Sequence, residues 1–255
     1  MAKTFLSILI ILLCQQSCVS QSFEDALIIK HPSIEQEATS IWRTINDINF
    51  LESQGYQIKL PKNEAIDNLI EKSKGGEFGN EDYATIYNLL EGGIYQRENY
   101  DKALAKILSQ KALIVSAMEK LEEKRAEWTW DFKQYESYEI ILTLYGTGGS
   151  YEPETGNITL LTNAEGAFMK YDKPANTIIH EMVHLGIENS LIQTYKVNHV
   201  LKEKIVDTIV YLLFQESLPD YQIQNMGPTA IDGQFNEAAD LAGLQATIAK
   251  LAEDN

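Results

Sequence analysis

His180, Glu181 and His184 stand close together in the stretch TIIHEMVHLGIENS, Thr177 to Ser190. On a helix, positions i and i+4 share one face, with β-carbons about 5–6 Å apart. Both imidazoles can then direct nitrogens at a single zinc ion, at about 2.0–2.1 Å each. Glu181 falls at the edge of that face, placed to hold a water beside the metal. The pattern His-Glu-x-x-His thus divides into two ligands and one general base. The bland alternative is a solvated helix that happens to carry two histidines. Ile178, Ile179, Met182, Val183 and Leu185 argue against it, because a helix this apolar is mostly buried. Buried histidines and a glutamate need partners, and a cation provides them.

A catalytic zinc needs a third protein ligand and an open fourth position. A histidine six residues after His184 would serve, but that position is Ser190. Glu188 lies one turn beyond His184, and three consecutive turns of a straight helix do not easily wrap one ion. Glu203 is the foremost candidate, on a following helix that can fold back antiparallel; His199, one turn before it, remains an alternative. Asp207 shares the face of Glu203 and can accept the second N–H of His180 or His184, as carboxylates behind ligating imidazoles do. Its ordinary reading is an exposed helical aspartate. The neighbours Ile205, Val206, Ile209, Val210, Leu212 and Leu213 make that helix largely buried instead.

These residues must be positioned by the elements around them. Apolar residues at helical spacing predict helices over residues 33–53, 62–74, 80–90 and, as one long element, 98–127. YEIILTLY, Tyr138 to Tyr145, and NITLLT, Asn157 to Thr162, read as strands, with a glycine-rich turn and a short strand near Ser150 and Tyr151 between them. A small antiparallel sheet is therefore expected just before the motif helix. That helix is predicted over residues 177–189, capped by Asn176 or Thr177, with further helices over 197–215 and 235–252 and a loop-rich stretch over 218–233.

The net charge of −16 repels phosphates and anionic membranes, which sets nucleic acid aside as a partner. Residues 1–20 read as a secretory signal peptide: Lys3, an apolar run from Phe5 to Leu13 too short to span a bilayer, then small and polar residues. The only cysteines, Cys14 and Cys18, fall in this segment. Processing after Ser20 gives a secreted or periplasmic soluble chain; processing before Cys18 would leave a lipid anchor, the one route to a membrane. Gln15 and Gln16 match a lipidation box poorly, which favours the soluble form.

HEMVH, eighteen intervening residues, then EKIVD resembles the gluzincin zinc peptidases, the thermolysin-like clan. These carry His-Glu-x-x-His on one helix and Glu-x-x-x-Asp on the next, behind a long backing helix and a short sheet. The resemblance spans about Glu98 to Gln215. It implies an α+β, mostly helical, zincin-like core in residues 98–255, after a helical region over 21–97, of which Ile34 to Tyr95 resembles no family we can name. It implies one zinc held by His180, His184 and Glu203, with Glu181 as base and Asp207 as orienter. It also implies a peptide or protein substrate laid along an edge strand, either Asn157 to Thr162 or Gly148 to Tyr151, and a downstream histidine or tyrosine donating to the oxyanion. No histidine follows Glu203, which leaves Tyr221, Tyr211 or the upstream His199 for that role. The function expected is a secreted zinc peptidase, an endopeptidase by preference. A non-catalytic zincin-fold binding or surface protein, and a zinc hydrolase acting on something other than peptide, are the competing readings.

Overall fold

The computed structural model describes residues 22–169 and 172–253. The expected signal peptide, with Cys14 and Cys18, lies outside these residues. The chain is α+β and mostly helical, with one small four-stranded sheet. Helix α1, Phe23–Ala26, leads into strand β1, Leu27–Ile29. Helices α2 (Ile34–Asn46), α3 (Ile48–Ser53), α4 (Glu64–Lys74) and α5 (Tyr83–Leu89) follow. Ser33 and Gln36 form a reciprocal capping box that fixes the start of α2. Ile41, Ile45, Ile66, Leu69 and Ile86 close these helices around a core of their own.

The long helix expected over residues 98–127 is two helices, α6 (Asp101–Ser109) and α7 (Lys111–Arg125), broken at Gln110. The break has a use. Gln110 Oε1 accepts the backbone N–H of Ala175 at 3.0 Å. Ala175 opens the motif helix, where N–H groups have no partner within their own helix.

Strands β2 (Tyr138–Thr143), β3 (Gly149–Glu152) and β4 (Asn157–Leu161) join β1 in the order β1-β2-β4-β3. The sheet is mixed rather than antiparallel: β1 and β4 both run parallel to β2, and only β3 and β4 are antiparallel. Strand β1 comes from the N-terminal region, so Leu27 pairs with Tyr138 across the boundary expected at residue 97. Gly146, at φ +133°, turns the chain between β2 and β3 and exchanges two backbone hydrogen bonds with Lys59, which braces the turn against the N-terminal helices.

Helix α8 (Pro174–Ile187) runs through the middle of the molecule. Ile178, Met182 and Leu185 pack under the sheet with Ile140, Leu142, Ile158 and Leu160. Ile179, Val183 and Ile187 pack on the other side with Ile205, Val206 and Ile209 of helix α9 (His199–Phe214). Gly186 permits this depth, because a β-carbon there would meet the Phe132 ring at 2.0 Å. Helix α10, Leu244–Glu253, closes the chain. The indole of Trp130 donates to Leu241 O at 2.7 Å, just before that helix. No helix of the described residues is long and apolar enough to cross a membrane.

Glu37 joins the N-terminal helices to the sheet from a fully buried position. Its Oε1 accepts from Tyr100 Oη at 2.7 Å and from the Leu144 N–H at 2.9 Å, while Oε2 has no partner among the described residues. Burial raises its carboxyl above the ordinary value, against the lowering effect of the bonds from Tyr100 and Leu144. A carboxyl raised in the folded state contributes stability when protonated, and that contribution is lost as pH rises through the folded value. Glu37→Gln is therefore expected to lose less stability than the wild type between acidic and neutral pH. Urea unfolding at several pH values checks this; parallel curves would contradict it.

Candidate metal centre

Three side chains converge where α8 passes α9. Helix α8 starts at Pro174, whose ring suits the first helical position, after Lys173, which makes no side-chain cap. The caps expected from Asn176 or Thr177 are not used, because Pro174 and Gln110 already set the start. Beyond Ile187 the helix widens over Glu188–Gln193, the chain turns through Lys196 at φ +52°, and Asn198 caps α9 by accepting the N–H of Leu201. That reversal faces Glu203 to the histidines.

Among the described residues, His180, His184 and Glu203 form the one group of three such side chains able to share a metal ion. The two Nε2 atoms are 3.0 Å apart, and Glu203 Oε2 lies 3.3 Å from His184 Nε2 and 3.4 Å from His180 Nε2. A tetrahedral ion with bonds of 2.0–2.1 Å has ligand-to-ligand edges of about 3.3–3.4 Å. The triangle therefore matches one face of such a polyhedron. All three residues are buried. Burial alone would raise the Glu203 carboxyl, but hydrogen bonds to His180 and His184 and their charge hold it well below the usual carboxylate range. Burial alone would depress His180, yet the Glu203 bond and the charges of Glu181, Asp207 and Glu203 lift it above its ordinary value. The site attracts a cation, and the His-His-Glu group can hold a metal ion.

Behind His180 stands a relay. Its Nδ1 lies 2.7 Å from the Tyr221 hydroxyl, which donates to Asp207 Oδ1 at 2.5 Å. Asp207 is fully buried and its Oδ1 is 3.6 Å from Nδ1, so it orients His180 through Tyr221 rather than directly. Burial, and then the Asp207 carboxylate, push the Tyr221 hydroxyl far up, so it keeps its proton. The hydroxyl then accepts from Nδ1–H, which leaves the lone pair of His180 on Nε2, towards the other ligand atoms. Tyr221 was expected at the oxyanion; the structure commits its hydroxyl to this bridge at the opposite ring nitrogen.

His184 is supported differently. Its Nδ1 is buried without a hydrogen-bond partner among the described residues, and its ring stacks on Tyr151 of β3 at 4.8 Å and 12°. Tyr151 donates to Glu188 Oε2 at 2.6 Å and accepts from Lys202 Nζ at 3.1 Å. Glu188, weighed as a ligand, is thus held by Tyr151 and by Gln193 at 2.6 Å, outside the ligand group. His199 is also outside it: the ring is half-exposed, with Nδ1 3.6 Å from Glu203 Oε1. Tyr211 is exposed on the surface. Tyr151 and Gln224 are site residues that the sequence did not single out.

Glu181 is buried and lies against the edge strand. A β-carbon on Gly149 would come within 2.5 Å of its Oε1, so glycine at that position lets the carboxylate and strand approach. Both face a cleft of about 850 Å³ floored by the ligands and walled by β3, by residues 54–57 of the N-terminal region and by the loop carrying Tyr221 and Gln224. Compared with known proteins, the chain matches no family model, no curated protein and no solved structure.

The geometry gives a direct expectation for metal affinity. Offered zinc as a probe, the chelator-stripped protein should take up one ion per chain, and Glu203→Ala should fail to retain it. Tyr221→Phe removes only the bridging hydroxyl and should weaken zinc binding by about 10–100-fold. Competition with a chromogenic chelator measures both, and unchanged affinity in Tyr221→Phe would remove the relay from the account.

Proposed function

We propose that this chain is a zinc-dependent peptidase of the gluzincin type, acting outside the cytoplasm on peptide or protein substrates. The observation that carries the reading is the His180, His184 and Glu203 triangle at tetrahedral spacing, with Glu181 beside it in an open cleft. Zinc suits two imidazoles and a carboxylate; when bound it polarises a carbonyl and lowers the pKa of a water towards ~7.

The remaining work falls to the chain. Glu181 takes the proton of the attacking water and passes it to the leaving amine, as a general base and then a general acid. Strand β3 holds the substrate. It pairs with β4 along one edge only among the described residues, and Gly149 to Tyr151 line the cleft. An extended peptide can add to that free edge through main-chain hydrogen bonds. Strand β4, the other candidate, lies between β2 and β3 and has no free edge. Tyr221 holds the His180 ring through its Nδ1 and Tyr151 holds the His184 ring by stacking. The compartment rests on the signal-like residues 1–20.

Cleavage of casein by the zinc-loaded protein is the first test. Glu181→Gln should keep its zinc and lose about 10²–10⁴-fold in rate. Gly149→Ala should also keep zinc, yet lose activity, because its methyl displaces the Glu181 carboxylate. If the wild type holds zinc but cleaves nothing, a non-catalytic binding role replaces the peptidase.

A further inference from the structure

The loop after α9 crosses the metal centre as a strap. Leu218 and Ile231 are buried in the core at its two ends. The ion pairs Lys173–Asp220 at 3.1 Å and Lys204–Asp232 at 3.0 Å tie down the same ends. Its middle hangs on Asp207: Tyr221 donates to Oδ1 at 2.5 Å and the backbone N–H of Gln224 to Oδ2 at 2.6 Å. Two residues three positions apart thus share one buried carboxylate. That fixes the backbone of Gln224 directly above the ligands.

From there the Gln224 side chain reaches back into the cleft. Its Nε2 donates to Glu203 Oε2 at 3.0 Å and lies 3.5 Å from His180 Nε2. It is therefore within reach of two of the three ligand atoms, on the wall that a substrate would meet. The other donors expected there are used or misplaced: the Tyr221 hydroxyl is bound behind His180, Tyr211 is on the surface and His199 sits at the exposed start of α9.

We propose that Gln224 is a catalytic residue of the hydrolysis, its Nε2–H donating to the scissile carbonyl oxygen as that oxygen gains negative charge. This rests on the peptidase reading. A donor held at the wall of the cleft by the backbone bond of Gln224 to Asp207 stabilises developing charge with little reorganisation.

The test compares the wild type with Gln224→Met, which keeps the length but has no donor, and Gln224→Ala. Three readouts are taken: zinc content, kcat and KM on a peptide, and the affinity of acetohydroxamate for the cobalt-loaded protein from its visible spectrum. Both variants should retain one metal. They should lose about 10²–10³-fold in kcat, as removal of an oxyanion donor does, with KM nearly unchanged. Acetohydroxamate should bind at least about tenfold more weakly, since a lost hydrogen bond of 1.4 kcal/mol corresponds to a factor of ten. Unchanged kcat and unchanged hydroxamate affinity would overturn the assignment. So would loss of the metal, which would make Gln224 a support of the ligand set. If the wild type holds metal and cleaves no peptide, the peptidase reading falls, and the hydroxamate comparison still decides whether Gln224 donates to an oxygen at the centre.

Discussion

Two imidazole nitrogens and a carboxylate oxygen held within 3.4 Å of one another, in largely buried side chains at the floor of a cleft, are the constraint around which this protein is arranged. Left without a cation, such a cluster is costly to bury. The fold accepts that cost by sinking α8 between two hydrophobic cores, so that the apolar sides of the helix stabilise what its polar side does not. The three ligand side chains cannot drift apart without disturbing packed residues on both neighbours.

Asp207 extends the constraint outward. It sits one turn after Glu203, fully buried, and accepts from both Tyr221 and the Gln224 backbone. One carboxylate thereby fixes the tautomer of His180 and the course of the strap above it. The N-terminal region is drawn in as well. It supplies β1 to the sheet, clamps the Gly146 turn through Lys59 and walls the cleft with residues 54–57. It forms part of the setting of the site.

What the sequence revealed followed from periodicity. His180 and His184 at i,i+4, and Glu203 and Asp207 at i,i+4, each share a helix face, so their convergence was readable once the two helices were read as neighbours. Periodicity says nothing of pairing, which is why these strands read as a small antiparallel sheet although β2 and β4 run parallel and β3 lies outside them. It also says little of a break at Gln110, because Ser109, Gln110 and Lys111 all suit a helix and the break is stabilised by a residue far away, Ala175. Tyr221 and Gln224 lie on a strap with no repeat at all. In the sequence Tyr221 is only a downstream hydroxyl, and nothing in its neighbours indicates that it faces the back of an imidazole. Tyr151 was visible only as a strand residue, since stacking on His184 depends on the approach of β3 to α8.

On the proposed reading, His180, His184 and Glu203 hold one catalytic zinc. X-ray absorption at the zinc edge of the loaded protein tests it most directly. Four light-atom neighbours at about 2.0–2.1 Å are expected, with the outer-shell scattering of two imidazoles. A site with one imidazole or none, or with six oxygen neighbours at longer distance, would contradict it.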